Sequence, residues 1–481
     1  MDKATLIEKL SALEKASQPL EPKPAQRREW MGQLTDHTDA YIDALPTNNA
    51  YSVNKETGPE LSITGEASTL PELLDIYVKN VEKNGLNPAS GGHLGYIPGG
   101  GIFTSAIADY LADITNEYAG IFFGSPGAVT IEHEVISWLK EVFGFPENSV
   151  GNLPSGGSIA NLIALTAARD KHGVKGAAVE KHVIYLSEQV HHCVYKALRI
   201  IGLEDAQMRH IQLDDRHRMD AEDLKRQIEK DKAKGLIPFV LIASAGTTDT
   251  GAIDPLRELS NIAKKEGMWF HVDAAYGGFF ILVDRLKPLF DGIQEADSLV
   301  IDPHKGLFMP YGVGAVLVKD REAVLKSHHY IASYLQDAFR PDLPLNPADV
   351  SPELTKHFRG LRVWLPLKLH GIDPFIAALE EKILLTEYFR KGLADMGFEL
   401  GPEPDLSVSY FWYPAKHMDA NEFNSQLMQK IHEDGRVFLS STTIKGRFVI
   451  RMAILAFRTK KATIDRALEM IRDALAVLGV K

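Results

Sequence analysis

The sequence predicts an α/β protein with a mostly parallel sheet covered on both faces, and three features carry that expectation. Over about 200 residues of the chain's middle, short apolar runs alternate with helical segments, the pattern of strand–helix–strand units. Two of those runs, 268–272 and 298–301, stop abruptly in polar residues, so both strands end at one place. A glycine-led helix begins in GNLPSGGSIANLIALTAARD, ahead of them in the chain.

The chain has 481 residues, too many for one ordinary core, which suggests two or three domains. An apolar content of 45% is enough to fill those cores. The formal charge of −11, with no basic run, argues against a nucleic-acid surface, so small molecules and other subunits are the expected partners. Cys193 is the sole cysteine, which excludes an internal disulfide and fits a reducing compartment. The charged, helical N-terminus lacks the apolar core of a signal peptide, and no window approaches a membrane span; a cytoplasmic protein is the default expectation.

Residues 1–90 are helical by pattern, broken by QPLEPKPAQ and by PTNNAYSVNKETGPE, and suggest an arm. Leu70, Leu73, Leu74 and Tyr77 share one side of a helix that needs cover, from a partner subunit or from its own chain. GGHLGYIPGGG follows, glycine-rich enough to approach a ligand or simply to turn at the surface, with His93 and Tyr96 as the side chains it offers. His133 lies among apolar neighbours and suits core packing better than ligation.

In the glycine-led segment, Ser158 is of N-cap type and Ile159, Leu162 and Ile163 follow at helical spacing. Such a helix start offers unpaired N–H groups and a positive dipole end, a place for phosphate at Ser155, Gly156, Gly157 and Ser158. Strands then follow at 182–187, in FVLIASAGTT, at 268–272, at 298–301 and at 314–319. His191, just past a strand end, can lie flat over a ring, as can His192 beside it; either also suits a surface helix start. Thr247 and Thr248 end another strand and can bond a ligand or cap a helix. Residues 328–352 carry four prolines and suggest a long loop of the kind that closes over sites. Beyond a helix in KHFRGLRVWLPLKLHG, the remainder forms a small α+β unit, in which Arg451 projects opposite Ile450 and Met452 and can grip a carboxylate or face solvent.

The strand ends give the chemistry. One delivers Asp273, the other Asp302, His304 and Lys305. Ligands of open parallel sheets bind beyond the carboxyl ends of the strands, so these groups are candidates for one site. Pyridoxal phosphate needs a lysine for its Schiff base and an acid for its pyridinium nitrogen. Lys305 and Asp273 supply that pair, although each alone suits a surface lysine or a turn cap.

With these residues in view, SGGSIANLIALTAAR, EQVHHCVYKA, HVDAAYGG, DPHKG, HFRGLRVW and RFVIRMAI resemble, in order, segments of the group II pyridoxal-phosphate amino acid decarboxylases, which include the aromatic-L-amino-acid and glutamate decarboxylases. The likeness runs from about Gly91 to the C-terminus. It implies an aspartate-aminotransferase-like fold of type I: an N-terminal helical arm (1–90), a large cofactor domain with a mostly parallel seven-stranded sheet (91–374), and a small α+β domain (375–481). It also implies a homodimer with active sites at the interface. By the same resemblance Lys305 forms the Schiff base, Asp273 meets the pyridine nitrogen, His191 stacks on the ring and Ala275 lies beneath it. Gly157, Ser158 and His304 belong near the phosphate, and Arg451 near the substrate carboxylate.

The implied reaction is decarboxylation of an L-amino acid to an amine and carbon dioxide. Tyr96, Phe308 and Tyr311 lean toward an aromatic substrate, though core packing accounts for them as well. Oxidative decarboxylation–deamination to an aldehyde, a carbon–carbon lyase and a non-catalytic cofactor-binding dimer are the alternatives. Two positions depart from the family pattern. Asp302 stands where animal aromatic decarboxylases have asparagine, and the position of a loop tyrosine thought to donate a proton falls near Pro347, with Tyr330 or Tyr334 as substitutes.

Overall fold

A computed structural model describes residues 1–329, 343–416 and 418–480 of the chain. The large sheet has seven strands: β1 (Val150–Asn152), β2 (His182–Ser187), β3 (Gln207–Ile211), β4 (Ile237–Ser244), β5 (Trp269–Asp273), β6 (Ser298–Ile301) and β7 (Ala315–Val318). Their order across the sheet is β1-β7-β6-β5-β4-β2-β3. The run from β6 to β3 pairs in parallel, and β7 is antiparallel to both of its neighbours.

The apolar runs exist because this sheet is buried from two sides. Side chains alternate across a strand, so Val240 and Ile242 of β4 enter one core while Leu241 and Ala243 enter the other. A strand serving two cores has no polar face to show. The helix Gly157–His172 lies across β5, β6 and β7, with Ala160, Ala164, Ala167 and Ala168 fully buried. Those small side chains let the helix close on the sheet, which sets its N-terminus at the strand ends.

A second, wholly antiparallel sheet follows: β8 (Glu399–Leu400), β9 (Val408–Trp412), β10 (Ser440–Ile444) and β11 (Arg447–Ala453), in the order β8-β9-β11-β10. A two-residue loop joins β10 to β11, with Lys445 at φ 49° and Gly446 at φ 77°. Both angles are left-handed, as a tight hairpin matching the strand twist requires. Leu385, Phe389, Phe411 and Ile450 belong to the core beneath this sheet.

At the other end of the chain the helices Lys3–Ser17 and Pro24–Ala44 bury none of their own residues. Leu6, Ile7, Leu10 and Leu13 stand exposed along the first of them.

Two histidines, His93 and His271, are fully buried, and burial pulls each down to about 4 from an ordinary 6.5. The folded chain holds both neutral, while the unfolded chain protonates them near their ordinary value. As pH falls from 6.5 toward 4 the unfolded state therefore binds more protons, and stability drops by about 1.4 kcal/mol per pH unit for each histidine. Thermal melts over that window are expected to show the decline, and His93→Gln to make it shallower.

Candidate active site

Beyond the carboxyl ends of β4, β5 and β6 lies a cavity of about 280 Å³. Asp273 is the last residue of β5, and Lys305 stands on the helical turn Pro303–Gly306 that follows β6; both line this cavity. The Lys305 ammonium is 3.1 Å from Asp302 Oδ2. Burial works against its charge, but Asp302 and then Asp273 outweigh that and hold the amine above the ordinary lysine value.

The opposite wall is the start of the helix Gly157–His172. Gly156 occupies the cap, so Ser158, expected there from its side chain, instead sits in the first turn. A side chain at this end would fill the space: a Cβ on Gly157 would come within 3.0 Å of Asp302 Oδ2, and one on Gly156 within 3.3 Å of the His304 ring. With glycines there the wall is bare backbone, whose first-turn N–H groups have no partner within the helix.

His191, Thr247, Ala275 and His304 also line the cavity. His191 caps the helix His192–Ile200 by accepting from Cys193 N at 3.3 Å, and that leaves its Nε2 to carry the proton of the neutral ring. Burial keeps it below the ordinary imidazole value. His192 is exposed, so of the two neighbours His191 is the one at the cavity. His304 donates from Nδ1 to the Val313 carbonyl at 2.6 Å and turns Nε2 toward Asp302 at 3.6 Å. The Thr247 hydroxyl is engaged by Thr250 Oγ1 at 2.8 Å and by Ala252 N at 3.2 Å.

Three expected substrate contacts lie elsewhere. Arg451 is buried, and its guanidinium donates to Thr248 O and Gly95 O, each at 3.0 Å, and to Ser440 Oγ at 2.8 Å. The fork expected to grip a carboxylate instead ties the loop after β4, the glycine-rich segment and β10 together. Tyr96 and Tyr311 are 63% and 57% exposed, outside the cavity lining. Tyr311 does stand edge-on to the His304 ring, with centroids 5.8 Å apart. Phe308 is buried in the core of the large sheet. Pro347, near the position expected for a loop tyrosine, is buried and its carbonyl accepts from Asn152 Nδ2 at 3.0 Å. Tyr330 and Tyr334 lie outside the described residues.

Residues that no sequence motif marks as part of a site complete the walls, among them Gln189, Cys193, Asn161 and Tyr276. Burial pushes the Cys193 thiol up to about 12, so it stays neutral beside Asp273. Asn161 donates from Nδ2 to Asp273 Oδ2 at 3.2 Å, and Ala275 N donates to Asp273 Oδ1 at 3.0 Å.

An amine, a carboxylate and a bare helix start around one small cavity define a protein that holds a phosphorylated carbonyl cofactor at the switch from strand to helix. Residues 69–414 match the pyridoxal-dependent decarboxylase conserved domain. The chain is 35% identical over 404 residues to the aromatic-L-amino-acid decarboxylase of Bacillus atrophaeus, covering 83% of this chain and 84% of that one. It is 30% identical over 484 residues to tryptophan decarboxylase 2 of Oryza sativa subsp. japonica, covering 96% and 97%. A crystal structure of Oryza sativa TDC with PLP and tryptamine superposes with a TM-score of 0.88 at 22% identity, over 95% of this chain and 99% of that one.

The chain belongs to the pyridoxal-dependent decarboxylase family. Its cofactor is pyridoxal phosphate, and its reaction is the decarboxylation of an amino acid. The cradle that a Cβ would fill, facing Lys305 and Asp273, fits that group.

Proposed function

We propose that this enzyme decarboxylates an aromatic L-amino acid to its amine. The observation that carries the reading is the convergence of Lys305 and Asp273 on the cavity walled by residues 155–158. The relatives' aromatic substrates and the family match support the substrate class. Lys305 would hold the cofactor through its aldehyde, Asp273 would face its ring nitrogen, and the helix start with Ser158 and His304 would hold its phosphate. His191 and Ala275, both in the cavity wall, would pack against the cofactor ring. When bound, the protonated pyridine takes up the electrons left by the departing carboxylate.

Arg451 shapes the entrance by fixing the Gly95 and Thr248 backbones, which places Tyr96 beside the route of a substrate. The seven-stranded and four-stranded sheets support a cofactor domain at 91–374 and a small domain at 375–481, beside an arm at 1–90 whose one ladder pairs Tyr51–Ser52 with Gly85–Leu86. The apolar stripe on Lys3–Ser17, with Phe103, Ile107, Tyr110, Leu111 and Ile114 exposed along the helix Phe103–Thr115, supports a homodimer in which a second copy covers both. The buried, unpaired Cys193 supports a cytoplasmic setting.

A panel of the common amino acids, scored for carbon dioxide together with amine, aldehyde and peroxide, tests the proposal. Tryptophan, tyrosine or phenylalanine is expected to turn over fastest, with amine equal to carbon dioxide. Preference for an acidic or aliphatic amino acid would refute the substrate class, and aldehyde with peroxide would refute the amine outcome.

A further inference from the structure

Behind Asp273 runs a row of buried hydrogen bonds that the decarboxylation reading does not use. Trp269, His271 and Asp273 occupy alternate positions of β5 and so face one side of the sheet. Ser298 of β6 stands in register beside His271, and Asn161 reaches in from the helix Gly157–His172. Trp269 Nε1 donates to Ser298 Oγ at 2.8 Å, and that oxygen is 2.7 Å from His271 Nδ1. His271 Nε2 is 2.8 Å from Asn161 Oδ1, whose Nδ2 donates to Asp273 Oδ2. His271, Asn161 and Ser298 are wholly shielded from solvent.

Chemistry gives this row one direction. A carboxylate only accepts, so Asn161 must show Asp273 its NH2 group and His271 its carbonyl. His271 Nε2 must then carry hydrogen. A neutral imidazole has a single N–H, so Nδ1 accepts and the Ser298 hydroxyl donates to it. The indole, which only donates, fills the remaining place on the Ser298 oxygen. The other Asn161 hydrogen goes to the Gly157 carbonyl at 2.9 Å, so the same amide links Asp273 to the helix start. With Asn161 turned over, its carbonyl would meet two acceptors, and buried mismatches of that kind are costly.

We propose that His271 is a positioning residue: backed by Ser298 and Trp269, it locks the Asn161 amide so that one side chain sets both the acceptor posture of Asp273 and its separation from the phosphate cradle. This role rests on the reading that Asp273 meets the ring nitrogen. Burial, which holds His271 neutral at ordinary pH, is consistent with the single N–H the row requires.

Two measurements test it. In the cofactor-free full chain labelled with 15N-histidine, the His271 resonances, assigned by their loss in His271→Gln, are expected to show hydrogen on Nε2 alone and no titration across neutral pH. An Nδ1–H tautomer or an imidazolium overturns the proposal. For cofactor binding, His271→Leu is expected to raise the pyridoxal phosphate dissociation constant about tenfold or more, the scale lost when the partner that orients a ligand-holding side chain is removed, and to lower kcat with KM little changed. His271→Gln, which can accept from Ser298 and donate to Asn161, is expected to recover most of both. Should His271→Leu fail to fold, Asn161→Leu replaces it with the same expected loss. Wild-type cofactor affinity in the leucine variant, with Asp273→Asn impaired, overturns the relay alone. Wild-type affinity in Asp273→Asn overturns the reading of Asp273, and this role with it.

Discussion

Replacing Lys305 by alanine is expected to abolish the visible absorbance of the lysine-linked cofactor and to slow decarboxylation by on the order of 10²–10⁴-fold, the scale lost with a reacting side chain. Lys305 is the single lysine among the residues lining the cavity, so no neighbour is placed to take over. Its removal has a second consequence. Asp302 is buried, its Oδ1 has no hydrogen-bond partner, and the Lys305 ammonium at 3.1 Å is the close cation on its Oδ2. Taking that cation away strands a buried carboxylate, which typically costs about 3–5 kcal/mol. The variant is therefore expected to melt lower as well, and Lys305→Ala paired with Asp302→Asn to recover part of the melting temperature but none of the absorbance. Borohydride reduction of the wild type followed by peptide mapping locates the link directly. A cofactor label on a peptide without Lys305, or an unchanged spectrum in the alanine variant, would rule this lysine out.

How far the sequence displays this site follows from where each residue gets its partners. The strands β2, β4, β5, β6 and β7 announce themselves because they serve two cores and are apolar along their length. β1 and β3 do not: QMRHI is half-exposed at the sheet's edge, and VGN has three residues, so neither carries a pattern. Lys305, Asp273 and His304 are legible because polar residues at the abrupt end of an apolar strand have few structural uses. The relay behind Asp273 also left a mark, the polar His271 alternating with Trp269 and Asp273 in WFHVD, but its partners Asn161 and Ser298 come from 110 residues before His271 and 27 after it. Arg451 shows the limit of strand alternation. The pattern correctly turns it away from Ile450 and Met452, yet the three backbone and hydroxyl acceptors it meets are brought to it by the tertiary fold alone.

Asp273→Asn is the sharper of the two large tests, because it separates the two uses an aspartate has at this position. The structure displays the ordinary one: Oδ1 accepts from Ala275 N two residues on, as a turn cap does. Asparagine caps such a turn nearly as well, so a residue that only capped would keep its activity on substitution, with a stability cost confined to the disturbed bond from Asn161. A residue that holds a protonated pyridine nitrogen loses its charge instead. The Asn161 NH2 group already occupies one oxygen and Ala275 N the other, so the new amide must turn its own NH2 group toward a donor. Removing one member of such a buried charged pair costs about 3–5 kcal/mol, which is a fall in kcat of about 10²–10⁴-fold. Melting temperature, cofactor affinity and kcat measured on one preparation distinguish the cases. A drop in kcat of that size with the fold retained is expected, and near-wild-type turnover would return Asp273 to the role of a turn cap. Asp273→Glu, which keeps the charge and moves it by one methylene, is expected to fall between the two, since the ion pair survives while the ring it positions is displaced.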